Sequence, residues 1–159
     1  MSQDKPSLAL FQPEIPQNVG TLARMSACFG ATLHLIGPLG FVLNDKHFRR
    51  AGMDYLDQAA LEVHESWAAF GQVVESMRMR QGRLVALTTG ADAVYSDVIY
   101  RPGDILLAGP ESSGLPEAVL GEVDLKVRIP IQPQTRSLNV AIASAIVFGE
   151  ALRQTRVIP

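Results

Sequence analysis

Cysteine is nearly absent: Cys28 is the only one in 159 residues, so neither an intrachain disulfide nor a cysteine zinc knuckle can form. A reducing, cytoplasmic setting is the expectation. Neither sign of charge dominates, with 14 Lys plus Arg against 16 Asp plus Glu and a formal charge of -2. That balance argues against wholesale coating of nucleic acid and confines any such contact to a local basic patch. Long apolar runs are also missing. The N-terminal MSQDKPSLALFQP is charged early and carries only a short apolar run before Pro13, and the run over residues 140–148 is too short to span a bilayer. Neither a secretory signal nor a membrane span is expected.

Several catalytic fingerprints are missing as well. GxGxxG and the P-loop pattern GxxxxGK do not occur, which removes the usual support for a dinucleotide oxidoreductase or a P-loop nucleotidase. Ser112 lies in ESSG, which is not a GxSxG nucleophile elbow, and no His–Asp partnership follows from spacing. His34, His47 and His64 are scattered without an HExxH pattern, so no metal centre is expected. Internal repeats, low-complexity tracts and interdomain linkers are not seen.

What is present is apolar content of 47%, enough for one domain over residues 1–159 that buries roughly two-thirds of its unfolded surface. Residues 8–11 read as a buried strand stopped by Pro13 and Pro16. A loop ending at Gln17 and Asn18 then leads into a helix to about Phe29, with Asn18 as its N-cap. Strands are predicted at 32–36, 61–64, 84–89, 105–108 and 125–129. Helices are predicted at 66–79 and 116–120, the former carrying Trp67 on its apolar stripe. Strands alternating with helices across short loops predict an α/β fold, a mainly parallel sheet sandwiched by helices.

The last stretch, residues 127–153, organises the rest. It runs from a β segment through a polar loop bearing Arg136, Ser137 and Asn139 into a helix apolar on almost every side. A helix of that kind must be covered all round, either against its own sheet or by a second subunit. Ser137 and Asn139 are both suited to capping it. Lys46, His47, Arg49 and Arg50 place four potentially cationic residues within five positions, the only dense basic cluster. GPESSGLP, residues 109–116, has two Gly and two Pro in eight positions, a loop whose backbone can approach a ligand closely.

Taken in order, FQPEIPQNVGTLAR (11–24), HLIGPLGF (34–41), KHFRRAGMDY (46–55), LTT (87–89), GPESSGLP (109–116) and RIPIQPQTRSLNVAIA (128–143) resemble the knotted-fold SPOUT RNA methyltransferases. The GF and RRAGMDY segments narrow the resemblance to the small tRNA wobble-position ribose 2'-O-methyltransferases.

The resemblance implies a deep C-terminal trefoil knot and a homodimer that acts on the tRNA anticodon stem-loop. S-adenosyl-L-methionine is the implied cofactor, with S-adenosyl-L-homocysteine as product. The implied cofactor contacts are Leu87, Thr88, Gly109, Ile129, Ile131, Ser137, Leu138 and Asn139. The implied catalytic set is Arg24, Asn18, Glu111, Ser137 and Asn139, and the implied RNA contacts are Arg24, Lys46, Arg49, Arg50 and Arg136.

Arg24 would either assist deprotonation of the ribose hydroxyl or hold a phosphate and stabilise developing oxyanion charge, since an arginine ordinarily stays protonated. Asn18 and Glu111 also have plain structural readings, as a helix cap and a loop anchor. Relatives often carry GPExRGLP, whereas this chain has Ser113 in place of the arginine. Methylation of another RNA nucleotide and a non-catalytic RNA-binding homodimer are the alternatives.

Overall fold

A computed structural model describes residues 4–43 and 60–157. Its frame is a seven-stranded sheet in the order β3-β2-β1-β6-β4-β7-β5. The strands are β1 (Ser7–Phe11), β2 (Thr32–Ile36), β3 (Ala60–His64), β4 (Leu84–Leu87), β5 (Ala93–Val94), β6 (Ile105–Ala108) and β7 (Leu125–Arg128), and every pairing between them is parallel. The helices are α1 (Pro16–Phe29), α2 (Trp67–Met79), α3 (Glu117–Leu120) and α4 (Val140–Thr155).

The central strands are continuous apolar runs because both of their faces are covered. Successive side chains point to opposite faces. Leu8, Leu10, Leu106, Ala108 and Val85 therefore join α1 and α4 in one core, with Leu22, Val147 and Phe148. Ala9, Phe11, Ile105, Leu107, Leu84 and Ala86 join α2 and α3 in the other, with Phe70, Val74 and Met77. Full burial of a side chain such as Phe148 contributes about 2–3 kcal/mol. Trp67 packs edge-on against Phe11, ring centroids 5.8 Å apart, and its Nε1–H donates to Glu122. It is half-buried and packs against the second core.

Two helix starts differ from expectation. Helix α1 begins at Pro16, whose fixed φ and missing N–H suit a first helical position, and the cap residue Ile15 supplies no side-chain bond. Asn18 is therefore inside the first turn and not its N-cap. Asn139, rather than Ser137, caps α4: its Oδ1 accepts from the N–H of Ala141 at 2.8 Å and of Ile142 at 3.3 Å. The fourth strand stops at Leu87, and Thr88 donates its N–H to the carbonyl of Val127 as the chain turns away.

The N-terminal end of the sheet is tied by buried charge. Asp104, fully buried, pairs with Arg83 at 2.8 Å and also accepts from the backbone N–H of Arg83 and Arg101. Asp124 accepts from Leu84 N–H at 2.8 Å and from Arg78 Nε at 3.1 Å. Strands β4, β6 and β7 are thereby tied together where they enter the sheet.

Candidate active site

At the opposite end, beyond the C-termini of β4, β6 and β7, lies a cavity of about 620 Å³. Open parallel sheets present ligand sites at this end, because the strand ends and the following loops leave a crevice there. Its walls include Leu87 and Thr88 after β4, Gly109 to Leu115 after β6, Arg128, Ile129 and Ile131 after β7, and Ser137 to Val140 at the entry to α4. Every residue expected to contact a cofactor, namely Leu87, Thr88, Gly109, Ile129, Ile131, Ser137, Leu138 and Asn139, is on this wall.

Gly109 is required by close backbone approach. A Cβ there would meet the backbone N of Leu115 at 2.5 Å and the carbonyl carbon of Gly114 at 2.6 Å. Gly114 itself has φ +69°, the left-handed region that favours glycine. The 109–115 loop therefore folds back on itself and leaves the crevice open.

Glu111, Asn18 and Asn139 join the loops. Glu111 accepts from Glu14 N–H at 2.9 Å, Ile15 N–H at 3.3 Å and Asn18 Nδ2 at 3.3 Å. Asn18, only 7% exposed, in turn accepts at Oδ1 from Asn139 Nδ2 at 3.0 Å. Glu111 thus satisfies the N–H groups of the two residues that lead into α1, where the helix dipole also favours a negative charge. Asn18 transmits that anchoring to the cap of α4. The two asparagines are 121 residues apart in sequence, and only the fold brings them together.

Glu14 was not singled out by sequence reasoning. Its carboxylate accepts from Ser112 N–H at 2.9 Å and Ser112 Oγ at 2.6 Å, and these two bonds hold it below the usual carboxylate range. Glu14 and Glu111 therefore clasp each other's loops reciprocally. A carboxylate two residues before the proline that opens α1 was the available signal, since an acid there reads as a helix-start charge until its partner is known.

Arg24 lies on an exposed part of α1 and is not on the cavity wall, and Arg136 is exposed in the loop before α4, also off the wall. Lys46, Arg49 and Arg50 lie outside the described residues. Around the cavity mouth and along α4, apolar side chains face outward: Leu138 is 38% exposed, Ile142 54% and Ile146 37%. No helix among the described residues is long and apolar enough to cross a membrane.

Residues 5–149 match the SpoU rRNA Methylase family. A tRNA (cytidine(34)-2'-O)-methyltransferase of Beijerinckia indica subsp. indica is 55% identical over 148 residues, covering 92% of this chain and 90% of the relative. A solved structure concerned with the 2-OH methylation of C/U34 on tRNA superimposes with a TM-score of 0.87 at 43% identity, covering 95% of this chain and 96% of the other. The SpoU methyltransferase AviRb of Streptomyces viridochromogenes, solved with the cofactor AdoMet, has a TM-score of 0.87 at 26% identity, covering 97% of this chain and 59% of its own. With a parallel sheet, a crevice beyond three strand ends and a family match across nearly its whole length, the chain belongs to the SpoU methylase family.

Proposed function

We infer that this chain is an S-adenosyl-L-methionine-dependent methyltransferase that methylates the ribose 2'-oxygen of the wobble nucleotide, cytidine or modified uridine at position 34, in tRNA. The observation that carries this reading is near-full-length identity of 55% to a tRNA (cytidine(34)-2'-O)-methyltransferase. The cavity supports it: about 620 Å³ lies within the range of small-molecule sites. Its walls mix the apolar side chains of Leu87, Ile129 and Leu138, suited to a purine face, with the polar Ser137, Thr88 and strand-end backbone, suited to ribose and amino-acid groups.

When bound, the cofactor supplies an electrophilic methyl group on a sulfonium. The protein's own task is to hold the ribose oxygen in line with that methyl and to manage its proton. Asn139 is the proposed orienting group. Its Oδ1 is committed to the α4 N-terminus and one amide hydrogen to Asn18, so the remaining N–H is set in direction toward the cavity for a ribose oxygen. Asn18 and Glu111 hold that amide in place through the bonds described above. Ser137, on the wall beside it, bridges cofactor and ribose.

Arg24 is the proposed catalytic cation. It remains protonated, grips the phosphate next to the target nucleotide and stabilises charge developing on the oxygen as the proton leaves. Lys46, Arg49, Arg50 and Arg136 supply the remaining phosphate contacts of the anticodon stem-loop. The outward apolar side chains of α4, together with Leu138, form the contact of a homodimer. The chain after β7 is threaded as a trefoil knot, which fixes the 129–139 loop against the cofactor. The protein works in the cytoplasm.

Transfer of labelled methyl from S-adenosyl-L-methionine to total tRNA, followed by nucleoside and position mapping, tests this reading. Label in 2'-O-methylated nucleoside at position 34 is expected. Label at another nucleotide would retain the reaction and overturn the position, and RNA binding with neither cofactor binding nor turnover would overturn the enzyme.

A further inference from the structure

Far from the crevice, at the β3 edge of the sheet, the parallel register sets His34 opposite Glu62 and Ile36 opposite His64. Alternate residues share a face, so His34, Glu62 and His64 all project to the α2 side. There Phe70 packs edge-on against both imidazoles, at centroid distances of 5.4 and 5.2 Å. Nδ1 of His34 lies 3.1 Å from Nε2 of His64 and 3.3 Å from Oε2 of Glu62, and that oxygen is 3.9 Å from His64 Nε2.

Three heteroatoms so placed pose a proton problem. If His34 Nδ1 carries the hydrogen, it must be shared between two acceptors whose lone pairs then face each other. If His64 Nε2 carries it, the lone pair of His34 Nδ1 faces the carboxylate. One cation at the centre satisfies all three. Ligand atoms around a tetrahedral zinc ion, with bonds of about 2.0–2.1 Å, stand about 3.3 Å apart. The two distances from His34 Nδ1, 3.1 and 3.3 Å, match that spacing, and the 3.9 Å between Glu62 and His64 closes to it by a small turn of the exposed Glu62 side chain. Burial, and then the neighbouring His64, hold His34 down to about 4, so its ring is neutral near pH 7 and its lone pair is available.

A second cavity, of about 610 Å³, opens on His34 and Glu62 and admits a water as fourth ligand. The other charges on its wall are engaged elsewhere. Lys5 Nζ donates to the carbonyl of Phe29, and Arg80 pairs with Asp4 at 3.5 Å.

We propose that His34 Nδ1, His64 Nε2 and Glu62 Oε2 form a binding site for a divalent transition-metal ion of the zinc class, completed by solvent. Mixed nitrogen and oxygen donors suit zinc, cobalt or nickel and not magnesium, which takes oxygen ligands in octahedral geometry. The ion clips the edge strand β3 to β2. That strand is the least covered of the long strands, with Val63 50% exposed. The site is separate from the crevice and does not depend on the methyltransferase reading.

The test uses the full chain carrying Cys28→Ser, which removes the exposed thiol as a competing ligand. After stripping with chelator, zinc is titrated by calorimetry and by thermal unfolding. One ion per chain and a raised Tm are expected, with no response to magnesium. Glu62→Gln and His64→Gln should each weaken zinc at least about tenfold while leaving the far-ultraviolet circular dichroism unchanged. Cobalt should give the strong visible absorption of a four-coordinate ion in the parent and lose it in either variant. Absence of stoichiometric binding, or zinc affinity unchanged in the Glu62→Gln/His64→Gln double variant, would overturn the site.

Discussion

The two ends of the sheet use the same chemistry, carboxylates against N–H donors, for different ends. At the N-terminal end Asp104 is fully buried, pairs with an arginine and closes the entry to β4 and β6. At the C-terminal end Glu111 and Glu14 are in contact with solvent and bind loop to loop around a crevice. Burial makes the difference. A carboxylate deprived of water is costly to leave unpaired, so it locks structure, whereas one at a crevice mouth can hold loops in place and still be reached by a substrate. Stability is concentrated at one end and chemistry at the other.

That division predicts separable effects. The largest is expected for Arg24→Ala, which should lower kcat/KM for methyl transfer by about 100- to 10,000-fold, about 2.7 to 5.5 kcal/mol, with the unfolding midpoint nearly unchanged. Unchanged kinetics in a folded protein would remove Arg24 from the reaction. Next is Asp104→Ala, which strands Arg83 and two backbone N–H groups and should cost about 3–5 kcal/mol in denaturant unfolding. Cofactor affinity measured below the transition should stay close to that of the parent. A crevice defect as large as the stability defect would break the comparison.

The sheet edge supplies a third, pH-dependent effect. His34 has a folded value of about 4 against an ordinary 6.5, so the unfolded chain binds the proton first as pH falls. Its contribution is fully present above about pH 6.5 and is lost progressively down to about pH 4, on the order of 3 kcal/mol. Urea midpoints measured in chelator should fall across that window, and His34→Gln should flatten the fall. Glu111→Gln should come next, since it keeps the shape of the acceptor and loses its charge. About 1.5 kcal/mol, or roughly tenfold in methyl transfer, is expected, with a smaller drop in Tm. The smallest effect belongs to the basic cluster. Arg49→Ala should reduce the salt slope of tRNA binding by about 1 while affinity for free cofactor stays constant.

Much of the fold was legible because it rests on local pattern. The apolar runs at 8–11 and 105–108 read as buried strands, and the strand-helix alternation pointed to a mainly parallel sheet. Motif resemblance grouped eight residues as cofactor contacts, and the fold places all eight on the wall of one cavity. The role of Asn18 was not. An asparagine two residues after a proline looks like a cap, and nothing local reveals that Pro16 has already opened the helix and that Asn18 is bonded to Glu111 and Asn139. Glu14 was missed for the same reason, its partner Ser112 lying 98 residues away.

The C-terminal stretch marks the boundary. By itself the sequence determined that residues 127–153 contain a strand, a polar loop and an apolar helix, because periodicity and capping are properties of neighbours along the chain. Only the tertiary structure decided that Asn139 caps that helix while holding Asn18, that Ile142 and Ile146 are the side chains facing outward, and that His34 meets Glu62 and His64. Those facts depend on strand order and register, which set distances between residues that sequence separation does not encode.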